Sequence, residues 1–352
     1  MKKIFIYTFF IIFFLISIVV TYLNIFGYET DKFNELISKK ITNEDNKINV
    51  KFNKIKLKLD LRKFSFYLIT RKPKFAYEKI EVNIEEISVH SNISSVIKGN
   101  FYINKISIGL ENLEIKKIQK IFLNQKPSNL KSVVLNNLKK GELNGNIEIF
   151  FDSNFKITDY TLNGFVKKFE CNLSNYVKID ETDFIFSIKK DSGNIKDLTG
   201  KIKDFDITNG EIQYLIKQDT EIKVKANTKI NLNQNEIKNL FKDLKKNKLL
   251  NNKIKLNLNA SHQLKIIFDN TLKMKNYSYN SEGEISNSNI IFNNSIKSQF
   301  LKNEINSIKF DNSNFFLDLN SDDKNSFLLK GNYKLNENIS DKNKIENNFS
   351  KS

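Results

Sequence analysis

The segment from Ile4 to Phe26 carries no charged side chain. As an α-helix with a rise of about 1.5 Å per residue it would be about 34 Å long, enough to cross a hydrocarbon core of about 30 Å. The run is longer than the apolar region of a signal peptide, and no pair of small residues follows it as a cleavage site. Lys2 and Lys3 favour a cytoplasmic N-terminus. We therefore expect residues 4–26 to be an uncleaved single-pass anchor, with residues 1–3 cytoplasmic and the rest of the chain exported.

The formal net charge of +17 raises the question of nucleic-acid binding. Arginine occurs only at Arg62 and Arg71, and every other basic residue is a lysine. Arginine supplies the bidentate fork that recognises base edges and phosphates, so its scarcity argues against specific nucleic-acid recognition. The lysines are also spread along the chain instead of being grouped in a basic arm. We expect no nucleic-acid partner and only a modest attraction to anionic lipid headgroups.

The residue types that carry most enzyme chemistry are scarce. Cys171 is the only cysteine, which excludes an internal disulfide, and its alternation with Phe169 and Leu173 predicts a thiol in the core. His90 and His262 are the only histidines, and neither has serine and carboxylate residues in a recognised catalytic arrangement. No cluster of Cys, His and carboxylate residues has metal-ligand spacing. We expect no catalytic residue, no metal and no cofactor, which makes an exported hydrolase the least favoured function.

From Ile48 onward apolar residues alternate with polar ones, the period of a strand with one buried face. The clearest strand runs from Ile222 to Leu232, where the other face carries lysine and asparagine. A change of parity, as between Ile84 and Ile87, predicts a β-bulge or a tight turn. Glycine is scarce, so asparagine is expected to provide the positive φ angles of the turns.

Some segments have helical spacing instead. A juxtamembrane helix is expected within residues 27–45, and helical interruptions are expected near 114–140 and 233–248. The tail from 336 to 352 has too few apolar residues to fold and is expected to be disordered. The predicted fold class is therefore mainly β: one N-terminal transmembrane helix, then a long, curled antiparallel β-sheet that forms a β-groove over residues 46–335, with a few short helices.

A weak internal repeat runs through the β region. The segments that begin at Leu162 and Leu198 share the pattern L-x-G-x-[VI]-x-x-F, and looser copies begin at Gly283 and Gly331. We interpret each glycine as the point after which a new strand starts. The alternative is chance similarity in a chain rich in Lys, Asn and Ile.

Strands with one apolar side can shelter that side in two ways. Two sheets can close on each other at about 10 Å as a sandwich, or one curled sheet can leave an apolar trough. A trough would hold lipid tails, since burial contributes about 0.8 kcal/mol per CH₂. The anchor and the shortage of helices that could cover the sheet favour the trough. Its candidate lining residues share one parity within their strands: Ile147, Ile149, Phe151, Phe184, Phe186, Ile188, Ile222, Val224, Ala226, Ile230, Leu232, Ile254, Leu256 and Leu258.

Together, the anchor, the juxtamembrane helix, the paired strands, the helical interruption and the L-x-G-x-[VI]-x-x-F units resemble the AsmA-like family of Gram-negative envelope proteins, of the YhdP and TamB type. The resemblance covers about residues 1–335 and rests on patterns, not on invariant catalytic residues. It implies a β-groove fold, an inner-membrane anchor with a periplasmic body, and transport of phospholipid toward the outer membrane. Family members are commonly much longer, and about fifteen strands at about 4.8 Å would give a groove of only about 70 Å.

We therefore expect an inner-membrane-anchored periplasmic protein that binds phospholipid acyl chains and supports outer-membrane biogenesis. Its expected partners are phospholipid, the inner membrane, and envelope proteins that extend the short groove in series. The alternative is a non-catalytic assembly or scaffold protein of the envelope with a closed β-sandwich core. The two differ in what covers the apolar side, which is lipid in the first and protein in the second.

Overall fold

The structure, a computed structural model, describes residues 2–32, 34–44, 46–62, 64–94, 102–124, 126–127, 129–172, 178–202, 205–235, 253–271, 273–297, 304–322, 325–336, 338–339 and 343–349. The chain divides into two compact units. Unit 1 is Met1–Val166 with Ser187–Lys190, and unit 2 is Lys167–Phe186 with Asp191–Ser352.

Unit 1 contains the α-helices α1 (Lys2–Ile25), α2 (Asn34–Glu44), α3 (Ile115–Leu123) and α4 (Asn129–Asn137). By length and composition α1 can span a membrane, because its stretch Ile6–Ile25 has a mean hydropathy of 2.5 and 0% of it is buried. The hydroxyls of Thr8 and Ser17 donate hydrogen bonds of 2.9 Å to carbonyl oxygens one turn earlier. Both hydroxyls are therefore satisfied within the helix, as an apolar environment requires.

Most of the described residues form antiparallel strands. The strands of unit 1 are β1 (Tyr28–Thr30), β2 (Ile48–Lys51), β3 (Ile55–Asp60), β4 (Ser65–Arg71), β5 (Lys74–Tyr77), β6 (Ile80–Asn92), β7 (Ile103–Glu114) and β8 (Leu138–Phe151). The strands β9 (Ile157–Asn172) and β10 (Lys178–Lys189) contribute residues to both units.

The strands of unit 2 are β11 (Ser192–Ile202), β12 (Phe205–Ile216), β13 (Thr220–Leu232), β14 (Lys253–Phe268), β15 (Met274–Ile296), β16 (Ile305–Asn320), β17 (Asn325–Leu335), β18 (Asn338–Ile339) and β19 (Asn343–Phe349). The predicted fold class is confirmed: the chain is mainly β, with one N-terminal apolar helix and a few short helices.

In unit 1 the strand β6 is shared between two sets of partners. Its first half pairs with β5, which pairs with β2, and its second half pairs with β4 and β7. Val82 and Ile84 of β6 form a buried cluster with Leu113, and Ile118 and Ile121 of α3 pack against it. This helix lies within the interruption predicted near 114–140, and its apolar side packs on the sheet.

In unit 2 each strand from β11 to β17 pairs with the next one along the chain. The strands β18 and β19 both pair with β17, so part of the tail expected to be disordered is an edge strand. The prediction failed because it counted apolar side chains, whereas an edge strand is held by backbone hydrogen bonds that any sequence can form. The helix expected near 233–248 falls mostly in 236–252, outside the described residues.

Several bulges interrupt the pairing, and asparagine occupies many of them. Asn112, Asn209 and Asn287 have φ angles of 46°, 51° and 46°, and each lies at a register shift inside a strand. Asparagine does adopt positive φ at these bulges, but between strands the positive φ angles fall mainly on other residues, among them Lys72 and Phe155, so the prediction that asparagine serves the turns is wrong there. The parity change expected between Ile84 and Ile87 coincides with a register shift in β6 and is confirmed.

Candidate functional site

The sheet of unit 2 has one predominantly apolar side, which we call the apolar face: the side that carries Val224 and the other same-parity residues of β13, with their cross-strand partners. Val224 pairs with Leu264, Ile230 with Leu258, and Leu232 with Leu256, without any shift of register along β13 and β14. Directly paired residues project from the same side of a sheet. The parity in the sequence therefore becomes a continuous apolar strip across two strands.

The apolar face continues across the following strands. Ile254 pairs with Ile290, and Ile290 pairs with Ile308. On another row Leu264 pairs with Tyr279. The residues predicted on β13 and β14 are thus brought together with apolar residues of β15 and β16 that the candidate set did not contain.

Burial distinguishes this face from a closed core. Ile222, Val224, Ala226 and Ile230 are half-buried, and only Leu232, at 3% exposed, is fully buried among the candidates on β13. Strands of unit 2 contact their hydrogen-bonded neighbours, and among the described residues of this unit only Gln234 and Asn235 are helical. These side chains are half-buried because they pack sideways against their neighbours on the same sheet.

Four of the predicted residues lie in unit 1. Ile147 and Ile149 of β8 pair with isoleucines of β7. Together with Phe151 and with Ile188 of β10 they are half-buried.

The remaining candidates are a pair of phenylalanines near the start of unit 2. Phe184 contacts Phe169 edge to face with ring centroids 5.3 Å apart, and Phe186 is 4% exposed. Cys171 is also buried, which confirms the predicted core thiol, and burial raises the pKa of this thiol.

The glycines of the sequence repeat lie inside strands, which corrects the interpretation that a strand starts after each of them. Gly164 lies in β9, Gly200 in β11, Gly283 in β15 and Gly331 in β17. What these positions share is close approach of the neighbouring strand, and Gly331 additionally has a φ of 141°. A glycine inside a strand commonly marks such an approach.

The three repeat glycines that lie in unit 2 each face a small residue. A Cβ atom added to the glycine would lie under 3 Å from the Cα atom of that residue: 2.8 Å from Thr182 for Gly200, 2.8 Å from Ala260 for Gly283, and 2.6 Å from Ser313 for Gly331. Ala260 also pairs with Thr228, which belongs to the parity of the apolar face. The backbone therefore converges on that side, so the apolar face lies on the inner side of the bend at this row.

A cavity of about 1040 Å³ crosses the middle of the unit 2 sheet from β11 to β17. Small residues of the glycine row line it, among them Gly200, Thr228 and Gly283, and so do charged residues such as Asp206 and Lys229. The candidates predicted from the sequence are not among its lining residues. Large apolar residues, among them Phe315 and Leu328, complete a mixed lining.

One polar cluster interrupts the apolar face. The ring of His262 has Nε2 at 2.7 Å from Oγ1 of Thr228, and Nδ1 at 2.9 Å from the hydroxyl of Tyr279 and at 3.0 Å from Oγ of Ser281. Burial lowers the pKa of His262. No role could be predicted for this histidine, because its partners come from two other strands, β13 and β15.

The opposite side of the sheet is strongly charged. Lys223 and Lys265 are a directly paired couple, and both contact the carboxylate of Glu221, at 2.7 and 2.9 Å. Their hydrogen bonds lower the pKa of Glu221 to about 2. The predicted solvated face of β13 is confirmed, since Lys223, Lys225 and Asn231 are exposed.

Comparisons with known proteins supply no relative. No family model, no curated protein and no solved structure matches this chain. Within the part of the chain that the structure describes, no group of three or more His, Cys, Asp or Glu residues is arranged to hold a metal ion.

Proposed function

We propose that this chain is a membrane-anchored lipid-binding protein that holds acyl chains against the apolar face of unit 2. The observation that carries the proposal is the half-buried apolar register of β13 and β14, which lies on the inner side of a bend. Half-buried aliphatic side chains keep apolar area in contact with water, and covering that area gains about 25 cal/mol per Å². A hydrocarbon chain offers such cover without leaving polar groups unpaired.

The proposal includes the location of the protein. α1 would anchor the chain in a bacterial inner membrane, and Lys2 and Lys3 support an N-terminus in the cytoplasm with the β body in the periplasm. In that position the protein would take part in phospholipid transport and outer-membrane biogenesis. Envelope proteins acting in series would extend the path of the lipid.

Binding without catalysis is part of the same proposal. Ser281 is the serine closest to a histidine on the apolar face, but it is only 3% exposed. A hydroxyl so buried has no access to a substrate carbonyl, and a nucleophile needs that access.

The test compares two substitutions that add the same carboxylate to opposite sides of one strand. Val224→Asp places it on the apolar face, between Ile212 and Leu264. Asn231→Asp places it on the exposed side, opposite Asn257. Each change alters the net charge by the same amount, so Asn231→Asp is the matched control.

The measurement is the amount and identity of lipid that copurifies with the full chain after mild membrane extraction, by mass spectrometry. We expect Val224→Asp to retain less lipid than the natural chain and Asn231→Asp to retain the same amount. Lipid held by α1 is common to all three proteins and cancels in the comparison. Equal retention by both variants, with the sheet intact by circular dichroism, would refute the proposal, and copurification of a protein in place of lipid would favour the scaffold alternative.

A further inference from the structure

We infer that the cluster of Thr228, His262, Tyr279 and Ser281 binds an ester carbonyl oxygen of a diacyl glycerophospholipid lying on the apolar face. The inference rests on the proposed function and adds the chemical group that is recognised. A purely apolar face would hold any hydrocarbon, whereas a hydrogen-bond donor within it selects a ligand with an acceptor at the matching depth.

The cluster is built from neighbouring rows of the sheet. His262 of β14 pairs with Ala226 on one side and with Ser281 on the other. Tyr279 lies two residues before Ser281 on β15, and its ring stacks on the histidine ring with an interplanar angle of 11°. Strands on both sides thus fix the position of the imidazole, as a preorganised polar site requires.

Counting hydrogens shows that the cluster has spare donors. With a neutral ring, His262 carries one N–H, and Thr228, Tyr279 and Ser281 carry one hydroxyl hydrogen each. Three contacts join these groups, and two of them meet at Nδ1, which can accept only one of the two hydroxyl hydrogens. The contact at Nε2 uses one hydrogen and Nδ1 uses another, so two hydroxyl hydrogens have no acceptor within the cluster.

Burial assigns Nδ1 to Ser281, so the two spare hydrogens belong to the hydroxyls of Thr228 and Tyr279, and the inference concerns that of Tyr279. Ser281 is 3% exposed, so its hydroxyl must use Nδ1, since an unsatisfied buried hydroxyl costs about 1–3 kcal/mol. The ring proton then lies on Nε2 and is donated to Oγ1 of Thr228 at 2.7 Å. Tyr279 is half-buried and lies on the apolar face, where it pairs with Leu264.

The occupant follows from what surrounds this donor. Leu264 pairs with Tyr279 on β14, and Leu319 pairs with it on β16, so a ligand must present hydrocarbon on both sides of its acceptor. An ester carbonyl at the head of an acyl chain has that arrangement. The same chain carries α1, whose length and composition suit a bilayer, the place where diacyl lipids are found.

The experiment is a competition between two lipids that differ only in the carbonyl groups. The full chain in a non-ionic detergent receives equal amounts of dioleoyl phosphatidylcholine and its diether analogue, and native mass spectrometry reports the bound ratio. We expect the diester to be favoured about 3- to 10-fold, the size of one net hydrogen bond. Tyr279→Phe should bring the ratio to about one, and Tyr277→Phe, on the same face two residues earlier, should leave it unchanged.

The outcomes separate this inference from the function on which it rests. If neither lipid binds, the proposed function fails as well. If both bind equally, or if Tyr279→Phe keeps the preference, only the carbonyl site is refuted. A third sample contains oleic acid, and if the acid displaces both phospholipids from the natural chain but not from Tyr279→Phe, the ligand is a free fatty acid and the assignment to a diacyl lipid is overturned.

Discussion

Replacing Gly283 by alanine would add one carbon atom on the inner side of the bend in unit 2. That atom would contact the carbonyl oxygen of Asn259, and it would lie 2.8 Å from Cα of Ala260 and 2.9 Å from the ring of Phe315. Two of these neighbours belong to the backbone of β14, which cannot rotate away as a side chain can. The strands must separate to admit the new atom.

The sign of the effect distinguishes close approach from ordinary strand packing. Where the backbone conformation and the space allow it, glycine to alanine stabilises a protein by about 0.4–1 kcal/mol through the unfolded chain. Overpacking against a fixed neighbour costs about 1–3 kcal/mol. For Gly283→Ala we therefore expect the free energy of local opening around β14 and β15 to fall by about 1–3 kcal/mol.

Hydrogen–deuterium exchange of the full chain, followed by mass spectrometry of peptides from β14 and β15, measures this quantity. The expected loss corresponds to exchange that is about 5- to 150-fold faster. Gly109→Ala is the control, because the nearest atom to its added carbon lies 3.7 Å away, and there we expect unchanged or slower exchange in β7. If Gly283→Ala exchanges as slowly as the natural chain, the argument for a tightly bent glycine row is wrong.

Three further predictions concern unit 2. Leu329→Ala removes a side chain that is 4% exposed, so chemical denaturation should show a loss of about 2–5 kcal/mol, while Leu215→Ala at 38% exposed should cost well under that. The carboxyl of Glu221 should titrate near pH 2 when followed by NMR, and Lys265→Met should raise that pKa. The contribution of this carboxylate to stability is present above its ordinary pKa of 4.5 and should be lost as the pH falls toward 2. Burial lowers the pKa of His262 below 6.5, so the unfolded chain binds a proton at a higher pH than the folded chain does. Stability should therefore decline as the pH drops below 6.5, and His262→Gln should remove this dependence.

The apolar side of β13 could be predicted from the sequence because its signal is local. From Ile222 to Leu232 every second residue is apolar or small, and the residues between them are all lysine or asparagine. This alternation is typical of a strand with two different faces. The helix α3 was predictable for the same reason, since Ile118 and Ile121 fall on one side at helical spacing.

The role of the glycine row could not be predicted from one sequence. Gly283 and Ala260 become neighbours only through the register of β14 and β15, and Gly331 and Ser313 only through that of β16 and β17. The sequence repeat did contain the signal, because it singled out these glycines. It did not reveal that each of them opposes a small residue within a strand.

The polar cluster around His262 was out of reach for a related reason. Its contacts join residues 34, 17 and 19 positions apart, to Thr228, Tyr279 and Ser281. Sequence spacing within one strand carries no information about such contacts. A list of residues expected on the apolar face therefore contained only hydrocarbon side chains and omitted the polar group between them.

The central claim, that the apolar face contacts acyl chains, is tested most directly by photocrosslinking in the membrane. A benzophenone amino acid replaces Val224 in one full-length protein and Asn231 in another, so that the probe points to opposite sides of β13. After irradiation, the peptide around position 224 should carry the mass of a phospholipid, and the peptide around position 231 should not. Equal lipid adducts at both positions, or adducts at position 224 only to other polypeptides, would contradict the account.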